Sequence, residues 1–384
     1  MEHAFTEKIM GVLRRRFGGK AAEIYQLSLL LQYVNTKTRS ANRGSKSRGS
    51  FANLYAIYVL VEDYLARGYD RKRNYSKSEG AVFSKLFARQ RQLPFGGRLQ
   101  NHALNHRLNE EFRKFFPTSE FTPIVRDVQS NRYWINQNLL RVKFGGRSFD
   151  LAGSLIDIIN EYIKTKSAAF DAFIESCVKL KGLADSSQKE ARAFVLDLLS
   201  PIRDARLFEI VSFAILKYYY HDQVVYFGFD LESLSKERLK LFKTGRTNAN
   251  DGGIDFVMKP LGRFFQVTET LDVKKYFLDI DKIERFPIAF VIKSVEPIGD
   301  LRRKLEAGAR KQFGVEKVVS NYMNCIEEII NIPTLQERFA AAASQGYLPA
   351  ILDEIIKQSK VEFNYLEEDA DVDEEEGVPS AGSE

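Results

Sequence analysis

The sequence predicts a mixed α/β protein, with a mostly helical first half followed by an α/β second half. Helical apolar spacing runs through much of residues 5–112 and again through 151–200. After residue 220, short apolar runs alternate with Pro- and Gly-containing turns, the pattern of strands. At 384 residues with 44% apolar and 12% aromatic content, the chain can bury a core for about two to three domains. Disordered, collagen-like and small disulfide-stapled classes are excluded by this composition. The expected organisation is a mostly helical region over 1–190, an α/β domain over 191–330, further helices over 331–365 and an acidic tail over 366–384.

Each element has a local reason. Residues 5–34 are rich in Leu, Ile and Ala and read as helix. Residues 35–50 carry Lys37, Arg39, Arg43, Lys46 and Arg48 among Ser, Gly and Asn, with no acidic residue, and read as a basic loop. Phe51, Leu54, Tyr55, Tyr58, Val61 and Leu65 restore helical spacing. A second basic loop holds Arg71, Lys72, Arg73 and Lys77. Pro94 and Gly96-Gly97 form a turn into a helix with Leu104, Leu108 and Phe112 on its apolar edge. Another face of that helix carries Asn101, Asn105, Asn109 and Arg113. Asn pairs bidentately with adenine and Arg with guanine, so this face has the chemistry of a base reader; an ordinary solvated polar face is the alternative. His102 and His106 are four apart but lack the Glu of a zincin helix. Residues 118–150 read as short strands around Trp134, closed by Gly145-Gly146. The main boundary is expected at 185–200.

Charge and cysteine usage constrain the setting. The formal net charge is +6. Without the nine acidic residues of the 366–384 tail, 57 basic side chains face 42 acidic ones, a net of +15. Such an excess suits a polyanionic partner. Only Cys177 and Cys325 are present, so no disulfide framework or thiolate zinc site is expected. Neither a signal peptide nor an 18-residue apolar run is evident, and the expectation is a cytoplasmic protein without a membrane partner.

The second half concentrates the chemistry. A helix starts after Pro201, and Glu209 is the only charge between Arg206 and Lys217. Burying that carboxylate is costly unless it has a partner. A strand is expected over 223–229, then a Lys-rich helix and loop to about residue 250. GIDFVMK and RFFQVTE read as two strands joined by a Lys259-Pro260-Leu261-Gly262 turn. Pairing outward from the turn sets Asp255 almost opposite Gln266, and alternation puts Gln266 and Thr268 on one face. A strand over 287–294 and a basic helix over 300–313 follow.

Gly252-Gly253-Ile254-Asp255, Gln266-Val267-Thr268 and the preceding Glu209 resemble the PD-(D/E)XK nuclease superfamily, and within it the type II restriction endonucleases. The likeness covers about residues 200–315; RGSFANLYAIYVLVEDY and LPFGGRLQNHALNHRLNEEF resemble N-terminal regions of such enzymes more loosely. The resemblance implies an αβββαβ nuclease core behind a helical DNA-recognition region. It also implies Mg²⁺ held by Asp255, Glu209 and Gln266, double-stranded DNA as substrate, a homodimer and a cognate DNA methyltransferase. Hard oxygen donors suit Mg²⁺. The family's water-orienting lysine is replaced by Thr268, which leaves Lys293 and Lys259 as candidate substitutes. A DNA-binding protein with an inactive nuclease domain, a repair or modification-dependent nuclease, and an unrelated α/β hairpin domain remain open readings.

Overall fold

The computed structural model describes residues 2–39, 47–71, 74–97, 99–182, 188–244 and 254–363, and for residues 47–49 and 363 the backbone only. The protein is mixed α/β, and its largest sheet lies in the second half.

The first half is built on α1 (Thr6–Phe17), α2 (Ala21–Leu27), α3 (Leu29–Thr38) and α4 (Ser47–Ala66). Ser28 accepts a bond from Leu31 N and caps α3. The expected basic loop over 35–50 is shorter than the sequence suggested, because α3 reaches Thr38 and α4 begins at Ser47. Next come β1 (Ala81–Val82), α5 (Phe83–Gln92) and α6 (Leu108–Phe115). A π-helical turn over Ala103–Arg107 leads into α6. β2 (Ile124–Asp127) and β3 (Arg132–Ile135) join β1 in an antiparallel sheet of order β1-β3-β2. After α7 (Gln137–Leu140), β4 (Arg141–Phe144) and β5 (Arg147–Asp150) form a hairpin. Its two-residue turn, Gly145-Gly146, has φ of 55° and 70°, a conformation that glycine adopts without strain.

One helix links the two halves. α8 (Ala152–Gly182) packs its N-terminal part on α1 and α4 and its C-terminal part on α15. Its residues through Tyr162 belong to the core of the first half, whereas Cys177 belongs to the core of the second. The change of core therefore falls inside α8, N-terminal to the 185–200 segment where linker-like composition placed it. α9 (Gln188–Leu198) then leads to α10 (Ala205–Tyr219), capped by Asp204 through Arg206 N.

Beyond α10, β6 (Val224–Phe227) and β7 (Ser235–Arg238) form a separate two-stranded ribbon. β8 (Lys240–Lys243), β9 (Phe256–Lys259) and β10 (Arg263–Thr268) form an antiparallel meander. The Lys-rich stretch expected as helix and loop is thus β7 and β8. α11 (Val273–Lys282) crosses to β11 (Ile288–Ile292), parallel to β10. α12 (Ile298–Phe313) and α13 (Glu316–Cys325) lead to β12 (Ile326–Ile330), parallel to β11. The sheet order is β12-β11-β10-β9-β8.

Both faces of this sheet are covered. On one, Phe256, Met258, Phe265, Ala289 and Val291 meet α10, α14 (Ile332–Ser344) and α15 (Leu348–Phe363). On the other, Phe264, Ile288, Phe290 and Ile292 meet α11, α12 and α13. β11 is consequently buried throughout, as a parallel strand between two helical layers must be. The helices expected over 331–365 are part of this layer, packed on α10. Phe290 sits at the centre of β11 with its ring 4.5 Å from that of Tyr276. Phe290→Ala should lower unfolding free energy by about 3–5 kcal/mol, measured by urea denaturation. A loss below about 1 kcal/mol would show that Phe290 does not anchor β11 to the α11–α13 layer.

Candidate active site

The C-terminal ends of β8, β10 and β11, the N-terminal end of β9 and the first turns of α10 lie together at one end of the large sheet. In open α/β sheets, ligands commonly bind beyond the carboxyl ends of parallel strands.

Asp255 stands just before β9. The one-to-one β9–β10 pairing ends at Phe256 opposite Phe265, and Asp255 N also donates to Phe265 O at 3.1 Å, so the register is broken where Asp255 stands. Pairing outward from the turn places Asp255 almost opposite Gln266; the regular pairing stops one residue short of that. The strand ends there, and the Asp255 carboxylate takes the place that further β9 backbone would hold: its Oδ2 accepts from Val267 N at 2.7 Å. Burial, and next the neighbouring charge of Glu209, raise the Asp255 carboxyl to about 7.

Glu209 projects from the second turn of α10 and pairs with Lys243 of β8, Nζ to Oε1 at 2.9 Å. Both side chains are mostly buried, at 19% and 16% exposure. Lys243 also lowers the Asp255 carboxyl, as does Lys275 from α11, although burial and Glu209 outweigh them. Among the described residues Lys243 is thus ion-paired with Glu209, and both it and Lys275 act on the Asp255 charge. Lys243 was not among the sequence candidates. Had 240–243 been read as strand, Leu241 and Lys243 would share the face that Leu241 turns toward α10.

The remaining predicted residues divide. Gln266 and Thr268 do share a strand face, but it is the α11 face, because the intervening Val267 packs with the α10 layer. Glu209 approaches from the α10 side, so the three predicted metal ligands do not converge from one side. Gln266 is buried, and its Oε1 has no hydrogen-bond partner. Thr268 Oγ1 donates to Thr270 O at 2.9 Å. Lys293 lies on the α10 face, but its ammonium is consumed: it donates to Arg203 O and pairs with Glu269 Oε1 at 3.2 Å, with the side chain 1% exposed. Lys259 is corrected outright. It lies at the turn end of β9, four residues from Asp255, roughly 13 Å along a strand, and its Nζ rests 5.3 Å from the Phe242 ring centroid. Gly252 and Gly253 lie outside the described residues.

Of the predicted DNA contacts, two are corrected. Lys37 is ion-paired with Glu111, which also accepts from Asn53 Nδ2 at 2.6 Å. Asn109 uses both ends of its amide on β2: Nδ2 donates to Ile124 O at 2.8 Å, and Oδ1 accepts from Ile124 N at 3.0 Å. It clamps a strand rather than presenting a base-reading edge. Asn105 Oδ1 accepts from the Tyr133 hydroxyl at 3.1 Å. The π-helical turn between Asn101 and Asn109 also breaks the regular spacing that would align the four residues. Asn101 is half-buried, and Arg113 and Arg39 are exposed. Arg43 and Lys46 lie outside the described residues, and Arg48 is described only as backbone within α4.

No family model, curated protein or solved structure matches the chain. Among the described residues no group of three or more His, Cys, Asp or Glu side chains is gathered as a metal site. The chemistry of the donor set nevertheless fits one divalent cation at the Asp255–Glu209 pair. Burial of Asp255, and next the charge of Glu209, raise the Asp255 carboxyl, and Lys275 and Lys243 offset this only in part, so added positive charge would be favoured there. No helix among the described residues is long and apolar enough to cross a membrane.

Two outcomes follow. A carboxyl at 3.8 when unfolded and about 7 when folded binds its proton more tightly in the folded state, so stability falls as pH rises between those values. Without divalent cations, Asp255→Asn should abolish that fall and gain on the order of 2 kcal/mol at pH 8. Chelator-treated thermal melts at pH 5 and pH 8 measure both, and equal pH dependence in variant and parent would refute the shared-charge account. Asn109→Ala should cost about 1–3 kcal/mol by stranding a buried backbone pair. If it instead alters DNA sequence preference without loss of stability, the clamp assignment fails.

Proposed function

We propose that this chain is a Mg²⁺-dependent endonuclease of the PD-(D/E)XK type, acting on double-stranded DNA as a site-specific restriction enzyme. The observation that carries the reading is the Asp255 carboxylate held at a strand end beside Glu209 and Lys243. With the β6–β7 ribbon inserted after α10, the order α10, three-stranded meander, α11 and parallel β11 follows the αβββαβ order expected from the motif, which supports the same reading.

Asp255 and Glu209 would hold the metal. Bound there, Mg²⁺ supplies charge neutralisation at the phosphoryl oxygen and a more acidic water. The chain's own residues do the rest. Lys243 reaches the site from β8 and serves where the motif's lysine is replaced by Thr268. Its ammonium orients the attacking water and steadies negative charge as the new P–O bond forms and the bond to the leaving oxygen breaks. Val267 N fixes Asp255 Oδ2, which holds the carboxylate in one orientation before substrate arrives. The +15 balance of residues 1–365 supplies long-range attraction for a polyanion. Such enzymes act on palindromes as two-fold dimers, since protein symmetry mirrors target symmetry. A cytoplasmic setting beside a cognate methyltransferase belongs to the same proposal.

Nicking of supercoiled plasmid with Mg²⁺ is the direct test. Asp255→Ala should abolish cutting while DNA binding persists. Lys243→Met should lose about 10²–10⁴-fold in single-turnover rate, and Lys259→Met should lose little. Cleavage by Asp255→Ala at the parental rate would remove the catalytic assignment. Binding without cleavage by the parent would favour a DNA-binding protein with an inactive nuclease domain.

A further inference from the structure

The net charge of the chain is not shared between its halves. Residues 1–182, through the end of α8, carry 31 Lys and Arg against 16 Asp and Glu, whereas residues 183–365 carry 26 against 26. The whole +15 excess of residues 1–365 therefore belongs to the first half. Residues 367–376, which lie outside the described residues, hold eight carboxylates in ten positions. Ten residues span at most about 36 Å, or roughly one charge per 4 Å of chain. One strand of duplex DNA carries a charge about every 3.4 Å. The segment thus has nearly the charge density of the polyanion that the first half suits, and the neutral second half offers it no comparable attraction.

α15 carries that segment toward the first half. Lys181 at the end of α8 pairs with Asp353 early in α15, Nζ to Oδ1 at 2.6 Å. α8 ends at Gly182, so the rest of α15 packs on it by running back along it. Near the other end of α15, Glu362 pairs with Arg206 of α10 at 3.0 Å. Two residues before Arg206, the α10 cap Asp204 lies close enough to Lys166 of α8 for that ammonium to act on its charge. The end of α15 is therefore level with the middle of α8. One turn along α8 from Lys166, Phe170 meets Phe95 of the first half with ring centroids 6.3 Å apart, and Phe95 stacks on Phe51 of α4 at 5.1 Å. Arg91 and Arg107 flank this part of α4. Gln90 Nε2, beside Arg91, donates to Ala52 O at 3.1 Å, and Glu111, one turn beyond Arg107, accepts from Asn53 Nδ2 at 2.6 Å. Both arginines are exposed and make no ion pair among the described residues. Glu367 and Glu376 follow Glu362 by five and fourteen residues, contour lengths of at most about 18 and 50 Å.

We propose that residues 367–376 dock on the first half beside Arg91 and Arg107, at the start of α4, and occupy there a surface on which duplex DNA would lie. The tether holds the segment at an effective concentration on the order of millimolar, enough to keep a weak ionic contact made. DNA must then displace it to bind. The contact rests on charge and position alone; the competition with DNA rests on the nuclease reading.

Fluorescence anisotropy of a labelled peptide of residues 364–384 tests the proposal. Its partner is a full-length variant in which the eight carboxylates of 367–376 are changed to their amides. At low salt the peptide should bind this variant saturably, and bind the parent about tenfold more weakly, because the parent's own segment holds the surface. Added salt should weaken the binding. Arg91→Gln with Arg107→Gln, both at exposed positions, should weaken it at least about threefold in the amide variant. Absence of binding to the amide variant, equal binding to variant and parent, or indifference to the arginine substitutions overturns the proposal. Duplex DNA should displace the peptide and should bind the amide variant about tenfold more tightly than the parent. A docked peptide that DNA fails to displace would sink the nuclease reading and leave the contact standing.

Discussion

The end of the large sheet depends on one charge that α10 cannot keep in water. α10 is strongly apolar, and its burial against Phe256, Phe265 and Val291 carries Glu209 inward with it. An isolated buried carboxylate would cost several kcal/mol. Lys243 reduces that cost, and β8 must lie where it does for the lysine to reach. β8 in turn fixes β9 by antiparallel pairing, and β9 ends so that Asp255 faces the same charge. Packing therefore creates the electrostatic problem, and the geometry of the site is its partial solution. The unsolved part, an Asp255 carboxyl still raised despite Lys275 and Lys243, is where ligand binding can add free energy.

The two halves are joined by more than a linker. α8 has 31 residues, a rod of about 47 Å at 1.5 Å per residue. Its first turns belong to the core that holds α1 and α4, and its last turns pack on α15, which lies against α10. Arg206 at the start of α10 pairs with the buried Glu362 near the end of α15, 3.0 Å apart. Any displacement of the first half along α8 thus reaches the helix that carries Glu209 through packed side chains rather than through a loop.

What was legible in the sequence was what depends on local period. The β9–β10 hairpin, its register and the face shared by Gln266 and Thr268 followed from alternation outward from a Pro-Gly turn. Helix over residues 5–34 followed from their Leu, Ile and Ala content, and helix from Phe51 to Leu65 from apolar spacing. What was not legible depends on distant partners. Lys37 resembles a phosphate contact until Glu111, 74 residues away, neutralises it. Asn109 has the right chemistry for adenine, but the same two amide groups also match a strand's N–H and C=O. β7 and β8 were read as helix and loop because lysine-rich edge strands have little apolar contrast on either face. That misreading hid Lys243. The position of Gln266 on the α11 face was implicit in the alternation, but the face occupied by α10 was not.

The account's central claim is that Asp255 and Glu209 form one divalent-cation site. Isothermal titration of the full-length chain with Mg²⁺ at pH 7, in two buffers of different ionisation enthalpy, tests it most directly. A carboxyl near 7 is about half protonated at that pH, so binding should release about half a proton per metal bound. Release should vanish in Asp255→Asn. Absence of saturable Mg²⁺ binding by the parent, or binding with the same proton release in that variant, would contradict the claim.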